Sequence, residues 1–203
     1  MKFIGITGGV GAGKTAILEY LRQKENTRVM LADEIAHQLM EPGTKCYATL
    51  ARLFVHEDIF LGEGGFDKGK LAKVIFSDPC KRKQLNEIVH PAVKEYVLEQ
   101  MEIEKNRNLS VLVLEAALLI EEHYDTICDE LWYIYTTREN RRRRLKASRG
   151  YSDEKIDGIF ASQLSEEEYR NACRVVIDNN SSLEKSYEQI EQALQLDKEL
   201  KHE

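Results

Sequence analysis

Short runs of consecutive apolar residues alternate along this chain with longer stretches in which apolar residues recur every three or four positions. The first pattern is typical of buried parallel strands, and the second of helices that bury one face. Five such runs predict strands, at residues 1–7, 28–31, 109–114, 131–135 and 174–177. Because helical stretches separate them, we predict an α/β protein of three layers, α/β/α, with a five-stranded parallel sheet.

The longest interval without a convincing strand covers residues 34–105, where the periodicity is helical throughout. It exceeds an ordinary crossover between parallel strands. We therefore predict a helical substrate-binding insertion over about 34–105, within a single domain whose core is residues 1–33 and 106–203. Pro91 predicts a kink or a restart in the helix that begins near Pro79. Residues 138–165 are predicted to form a helical lid.

A glycine-rich segment joins the first strand to the first helix. Gly8-Gly-Val-Gly-Ala-Gly-Lys-Thr15 matches the pattern G-x-x-x-x-G-K-[ST] between a strand and a helix. Its glycines allow successive N–H groups to point inward, and the following helix adds the positive end of its dipole. We predict that a nucleoside triphosphate is bound by Gly8, Gly9, Gly11, Ala12, Gly13, Lys14, Thr15 and Ala16. The alternative is a turn that merely joins the two elements.

Two side chains of this segment have more specific predicted roles. Lys14 is expected to reach the β- and γ-phosphates as a point charge, because the lysine of such loops does so. The hydroxyl of Thr15 is expected to bind Mg²⁺. The segment therefore predicts a site for ATP and Mg²⁺, without indicating the fate of the phosphate.

Two carboxylates follow predicted strands. Asp33 comes two positions after the strand at 28–31, and Glu115 directly follows the strand at 109–114. Ligands of open α/β sheets collect beyond the carboxyl ends of the strands, so both side chains are expected near the bound phosphate. Glu115 is predicted to help hold Mg²⁺. For Asp33 the alternative is an N-cap of a helix that begins at Glu34.

Four consecutive arginines, Arg141 to Arg144, lie in the helix after the fourth strand. A nucleic-acid patch is one interpretation, but the net charge of −6 argues against it. Because phosphoryl transfer needs cations over the migrating group, we expect at least one of Arg144 and Arg149 to touch ATP. The other arginines are expected mainly at the surface.

The composition excludes several classes of protein. With 203 residues, 42% hydrophobic and 32% charged, the chain can build a core, and it has no apolar run of about 18 residues that would span a bilayer. Its four cysteines are far apart and are expected to be reduced thiols in the cytoplasm. The histidine spacing predicts no structural zinc. We expect no nucleic-acid or membrane partner, and a monomer or weak homo-oligomer.

Further segments of the sequence narrow the class of protein to which this chain can belong. They are Ala32-Asp-Glu-Ile-Ala-His37, Gly65-Phe-Asp67, Leu71 to Pro79, Leu85-Asn-Glu-Ile-Val-His-Pro91, Leu118-Leu-Ile-Glu121, Gln163 and Val176-Ile-Asp-Asn179. Together with the glycine-rich loop, in this order and over essentially the whole chain, they make the sequence resemble the dephospho-coenzyme A kinase family. The resemblance implies a P-loop kinase that uses ATP and Mg²⁺. Its expected reaction is phosphorylation of the ribose 3′-hydroxyl of dephospho-coenzyme A, the last step of coenzyme A synthesis.

The same resemblance implies roles for the matched residues. Asp33 would accept or orient the proton of the 3′-hydroxyl, with Lys14 and Arg144 as further catalytic residues. Asn179 would hold adenine, and Arg144 and Arg149 would contact ATP. The acceptor would be bound by Asp33, His37, Lys68, Leu71, His90 and Leu118.

The chain departs from the usual family pattern at several positions. Glu115 stands where aspartate is usual, Arg141 where glutamine is common, and Lys68 replaces an arginine. Two alternatives stay open: another P-loop kinase of nucleotides or metabolites, and a binding module switched by nucleotide hydrolysis. The long helical insertion and the arginines favour an enclosed acceptor site, because a transferase must keep water from the γ-phosphate.

Overall fold

Five parallel strands form the centre of the structure, a computed structural model that describes residues 1–62 and 64–199. They are β1 Lys2–Thr7, β2 Thr27–Leu31, β3 Val111–Glu115, β4 Glu130–Tyr135 and β5 Val175–Asp178. The sheet has the order β2-β3-β1-β4-β5, and β1 pairs in parallel with both β3 and β4. The predicted five-stranded parallel sheet is confirmed.

Helices connect these strands, as the periodicity predicts. Those that the structure describes are α1 Lys14–Arg22, α2 Ala32–Leu39, α3 Lys45–Leu53, α4 Lys68–Ser77, α5 Pro79–Asn106, α6 Arg138–Arg149, α7 Asp153–Ala161, α8 Glu166–Ala172 and α9 Leu183–Glu199. A short 3₁₀ turn covers Tyr124–Thr126. In the described ranges, no helix is long and apolar enough to cross a membrane.

The central strands are apolar because both of their faces are covered. All six residues of β1 are buried, and Leu112, Val113 and Leu114 of β3 are completely inaccessible. Burying one such side chain stabilises the fold by about 1.5–3 kcal/mol. The strand that precedes the glycine-rich loop is therefore held on both edges and both faces, which makes it a rigid support.

The chain divides into two compact units. The sheet unit consists of residues 1–29 and 108–203, and the helical unit of residues 30–107. In the sheet unit, α9 packs against α1 and β5, and α8 against β4. In the helical unit, α5 packs against α2, α3 and α4, and is the common support of that unit.

Helix α5 continues through Pro91 over 28 residues, so the predicted restart at this position is wrong. An interior proline costs about 3 kcal/mol or more, because it removes one hydrogen bond and crowds the preceding turn. Four buried residues at every fourth position span it: Leu85, Val89, Val93 and Val97. Their burial, at about 1.5–3 kcal/mol each, outweighs the proline and keeps one face continuous.

Candidate active site

The glycine-rich loop lies between the end of β1 at Thr7 and the start of α1 at Lys14. Gly11 and Gly13 have φ angles of 84° and 89°, a left-handed conformation in which a side chain would be strained. Space is also restricted, because a Cβ atom on Gly13 would lie 2.5 Å from the amide nitrogen of Asn179. The loop thus needs glycine both for its backbone conformation and for its close packing.

The carbonyl of Ala12 is the best anchored group of this loop. It accepts three hydrogen bonds, from Asn179 Nδ2 (2.8 Å), Thr136 Oγ1 (3.0 Å) and Arg144 Nη1 (3.1 Å). In a trans peptide the C=O and the following N–H point in opposite directions, so this anchoring turns the N–H of Gly13 away from these three donors. Within the described residues that N–H has no acceptor. It is therefore available to an anion.

Asn179 and Arg144, both predicted to contact ATP, are engaged with the loop and with each other. Asn179 is 1% exposed, its Oδ1 accepts a bond from Ser186, and its carbonyl accepts one from Arg144 Nη2 (2.7 Å). Burial lowers the pKa of Arg144, and the neighbouring Arg143 lowers it further. Thr136 and Ser186 complete this network. Neither Thr136 nor Ser186 was predicted from the sequence, because a single hydroxyl residue belongs to no recognisable motif.

Lys14 and Glu115 form a pair beside the loop. The Lys14 ammonium donates to the carbonyl of Gly8 at 2.7 Å and lies 3.4 Å from Glu115 Oε1. Glu115 is the last residue of β3, and Thr15, the second residue of α1, is exposed. The strand end and the helix start therefore bring a cation and two oxygen-bearing side chains to the loop, as the sequence predicts.

These oxygens suit a hard cation. Mg²⁺ prefers oxygen ligands and usually takes only one or two from the protein, with the rest from phosphates and water. The hydroxyl of Thr15 and the carboxylate of Glu115 are donors of this kind. Across residues 1–62 and 64–199, no group of three or more His, Cys, Asp and Glu side chains could hold a metal ion. Thr15 and Glu115 therefore suit a cation that takes its remaining ligands from a bound triphosphate.

Arg141 is buried, so the expectation that arginines other than Arg144 and Arg149 lie mainly at the surface is wrong for this residue. It is 8% exposed, and its guanidinium donates to Val10 and Gln163 while lying over the ring of Phe160. Arg149 is instead exposed at the end of α6, with its guanidinium 5.8 Å from the ring centre of Tyr151. Arg149 therefore does not join the network around Ala12.

Helices α6 and α7 share a small apolar core that includes the loop. Leu145, Ile156 and Phe160 are its buried members, and Val10, Tyr151 and Ile159 pack against them. Val10 belongs to the glycine-rich loop, so the pair of helices contacts that loop directly through side chains. The same pair is fastened outside by ion pairs of Arg142 and Lys146 with Asp153.

Asp33 lies in the helical unit as the second residue of α2. The N-cap of α2 is Leu31, so the alternative that Asp33 caps this helix is wrong. Its carboxylate is exposed in the first turn, where a negative charge interacts favourably with the helix dipole. Folding therefore leaves this side chain accessible two positions beyond the end of β2.

The remaining predicted acceptor residues are distributed over both units. His37, Lys68 and Leu71 line a cavity of about 200 Å³ in the helical unit, with Met40 and Phe66 among its other walls. His90 is half-buried on α5 and does not line that cavity. Leu118 belongs to the sheet unit, in the segment after β3, and is 43% exposed.

The phosphate-binding loop follows the central strand β1, with Lys14 and Glu115 beside it. Helix α6, which carries the arginines, packs against this loop. Together these features define a P-loop kinase of the α/β class. Residues 2–185 match the sequence model of the family described as dephospho-CoA kinase. The chain belongs to this family, which confirms the resemblance.

Individual relatives agree with this assignment. The dephospho-CoA kinase of Shouchella clausii is 34% identical over 191 residues, which cover 94% of this chain and 96% of that protein. The crystal structure of a Thermus thermophilus protein superposes with a TM-score of 0.79 at 29% identity, over 97% of both chains. The solved structure of the dephospho-CoA kinase from Campylobacter jejuni gives a TM-score of 0.72 at 22% identity, over 96% of both chains, and supports the fold.

Proposed function

We propose that this chain transfers the γ-phosphoryl group of ATP to the ribose 3′-hydroxyl of dephospho-coenzyme A, which yields coenzyme A and ADP. The observation that carries this proposal is the family match over residues 2–185. The geometry of the loop supports it, because the N–H of Gly13 and the ammonium of Lys14 suit a polyphosphate.

On the donor side, the loop binds the triphosphate through its backbone N–H groups and Lys14. Arg144 and Asn179 hold Ala12 in place and so maintain the loop in its binding shape. Thr15 and Glu115 would hold Mg²⁺, which neutralises charge on the phosphates when it is bound. These roles deliver most of the catalysis, since phosphoryl transfer depends mainly on positioning and electrostatic stabilisation.

On the acceptor side, Asp33 acts as the general base. The 3′-oxygen forms a bond to the γ-phosphorus while the bond from that phosphorus to the β–γ bridging oxygen breaks. The hydroxyl proton passes to the Asp33 carboxylate, and ADP leaves. The Asp33 carboxylate is exposed in the first turn of α2, so a substrate hydroxyl can reach it.

The substrate itself is proposed to occupy the helical unit. The cavity lined by His37, Lys68 and Leu71 takes part of dephospho-coenzyme A, and the charge of Lys68 suits a phosphate of this substrate. His90 and Leu118 stay as predicted contacts. Residues 138–165 act as a lid whose apolar core already includes Val10.

We further propose that the enzyme acts in the cytoplasm as a monomer or weak homo-oligomer, without nucleic acid as a partner. Among the described residues, the cysteines at positions 46, 80, 128 and 173 form no disulfide, which suits a reducing compartment. The net charge of −6 disfavours polyanions as partners.

The test is ADP formation over a panel of acceptors: dephospho-coenzyme A, adenosine, nucleoside monophosphates and water. We expect dephospho-coenzyme A to give the highest kcat/KM, with coenzyme A as a product identified by mass spectrometry. The Lys14→Ala variant controls for contaminating kinases. A higher kcat/KM with a nucleoside monophosphate, or equal ADP release with water alone, would refute the proposal.

A further inference from the structure

Arg141 holds a buried positive charge against the phosphate loop. It is 8% exposed, and burial lowers its pKa, which the nearby phenols of Tyr133 and Tyr169 partly offset. A guanidinium remains charged under these conditions, because its ordinary pKa is above 12. Burying a charge is unfavourable unless it is compensated, so its contacts indicate what the residue does.

Each contact of the guanidinium either joins Arg141 to the loop or stabilises the contact that does so. Nε donates to the carbonyl of Val10 at 2.9 Å. Nη2 donates to Oε1 of Gln163, and Cζ lies 4.4 Å from the ring centre of Phe160. Gln163 and Phe160 therefore fix the plane of the guanidinium, while Nε binds the loop through the carbonyl of Val10.

The bond to Val10 determines where the next N–H points. The C=O of Val10 and the N–H of Gly11 belong to one trans peptide, so anchoring the carbonyl on α6 directs the N–H of Gly11 to the other side. Within the described residues, that N–H has no acceptor. Arg141 thus does for Gly11 what Asn179, Thr136 and Arg144 do for Gly13.

The absence of a side chain at Gly9 leaves room for the guanidinium of Arg141. A Cβ atom at Gly9 would lie 2.3 Å from both Cζ and Nη2 of Arg141, and 2.6 Å from Nη1. The backbone of Gly9 is not in the left-handed region, so its conformation does not require glycine. The reason for glycine at this position is the space that the guanidinium occupies.

We propose that Arg141 is a positioning residue of this kinase: it aims the N–H of Gly11 at the bound triphosphate and, with Gly9, forms a matched pair. Because this role presumes that the loop binds ATP, as proposed above, its test measures nucleotide binding without any acceptor. That measurement stands even if dephospho-coenzyme A proves not to be the substrate.

The first experiment compares Arg141→Gln with Arg143→Gln by calorimetric binding of the non-hydrolysable ATP analogue AMP-PNP with Mg²⁺. Arg143 is an exposed neighbour on α6, so the control removes the same formal charge from the same helix. We expect Arg141→Gln to weaken binding by about 10- to 100-fold, the usual worth of a hydrogen bond to a charged group. Equal affinities of the two variants would overturn the proposal.

The second experiment is a double-mutant cycle between positions 9 and 141. Gly9→Ala should weaken AMP-PNP binding in the wild-type background and have little further effect in the Arg141→Gln background, where the clash is relieved. A loss of the same size in both backgrounds would refute the matched pair. Merely structural damage would not produce this rescue.

Two further variants keep the proposal testable if Gly9→Ala does not fold. Gln163→Leu removes a partner of the guanidinium without changing the loop, and should weaken AMP-PNP binding in the same direction as Arg141→Gln. Arg141→Lys retains the charge without the planar fork, and should bind no better than Arg141→Gln. Wild-type affinity in either variant would count against a positioning role.

Discussion

The ammonium group of Lys14 lies 3.4 Å from Oε1 of Glu115, and both side chains are about five-sixths buried, at 17% and 16% exposure. Two opposite charges in such a place compensate each other, so removing one leaves the other partly desolvated and unpaired. Their chemistry differs, however, because only the lysine can bind a phosphate and only the glutamate can bind a metal ion. The two residues therefore lead to separate predictions.

Lys14→Ala should lower kcat/KM by roughly 10²- to 10³-fold, which is the usual cost of losing one preorganised donor to developing charge. The measurement is the initial rate of ADP formation with dephospho-coenzyme A. Lys185→Ala serves as the control, since it removes an exposed lysine from the same unit. An unchanged rate in Lys14→Ala would contradict the role of the loop.

Glu115→Gln should raise the Mg²⁺ concentration needed for half-maximal activity, because an amide oxygen is a weaker ligand of a hard cation than a carboxylate. Titrating activity with Mg²⁺ at fixed ATP measures this shift. Glu115→Asp, which keeps the charge, should lie closer to the wild type. Identical titration curves for the three proteins would remove Glu115 from the metal site.

Asp33→Asn should lower kcat by about 10²- to 10⁴-fold, the usual contribution of a general base, while AMP-PNP binding stays unchanged. Glu34→Gln is a matched control, because Asp33 and Glu34 are both exposed acids in the first turn of α2. Each variant removes the same favourable charge from the helix dipole. Equal kcat values for the two variants would show that Asp33 has no special chemical role.

Asn179→Ala should reduce the free energy of unfolding by about 1–3 kcal/mol, since Ser186 would lose one of its two acceptors and Ala12 one of its three donors in a buried place. Urea unfolding can be followed by the emission of Trp132, the chain's single tryptophan, which is fully buried. The exposed Asn171→Ala is the control. The KM for ATP should rise as well, because the loop loses an anchor.

The ion pairs of Asp153 predict that the stability of the contact between α6 and α7 depends on pH. Hydrogen bonds from Lys146 and then Arg142 hold its pKa below the ordinary value of 3.8. A carboxyl whose pKa is depressed by folding stabilises the folded state fully above its unfolded pKa, and this contribution disappears as the pH falls through the folded pKa.

Amide hydrogen exchange in α6 and α7 should therefore accelerate as the pH falls below about 4, after correction for intrinsic rates. In Asp153→Asn the same amides should exchange faster already at pH 6, with a smaller change on acidification. Because these ion pairs are exposed, added salt should diminish the difference between the two proteins. Parallel pH profiles of the two proteins would contradict the role of Asp153.

The parts of the site that depend on local chain chemistry were predictable. Lys14 and Thr15 follow from the loop pattern, since the strand before them and the helix after them are adjacent in sequence. Glu115 follows from an apolar run that ends in an acid. For Lys14 and Thr15, the residues that determine the geometry lie within a few positions of one another, whereas Glu115 reaches Lys14 because β3 pairs with β1.

Side-chain partners from distant segments were not predictable in the same way. Arg141 belongs to a run of arginines whose usual place is the surface, and its burial depends on Phe160 and Gln163, which only folding brings to it. The Ala12 carbonyl likewise collects donors from β5's end and from the segment after β4. The restart predicted at Pro91 is wrong for an energetic reason, because burial along α5 outweighs the cost of one proline.

The central place of β1 in the sheet also has a consequence for the newly made chain. Its neighbours β3 and β4 come late, and the bond between Phe3 and Asp129 joins residues 126 positions apart. During translation, β1 has neither neighbouring strand until β3 and β4, which lie more than 100 positions later, have been made. The phosphate loop, which directly follows β1, thus acquires its working shape only after these later strands have formed.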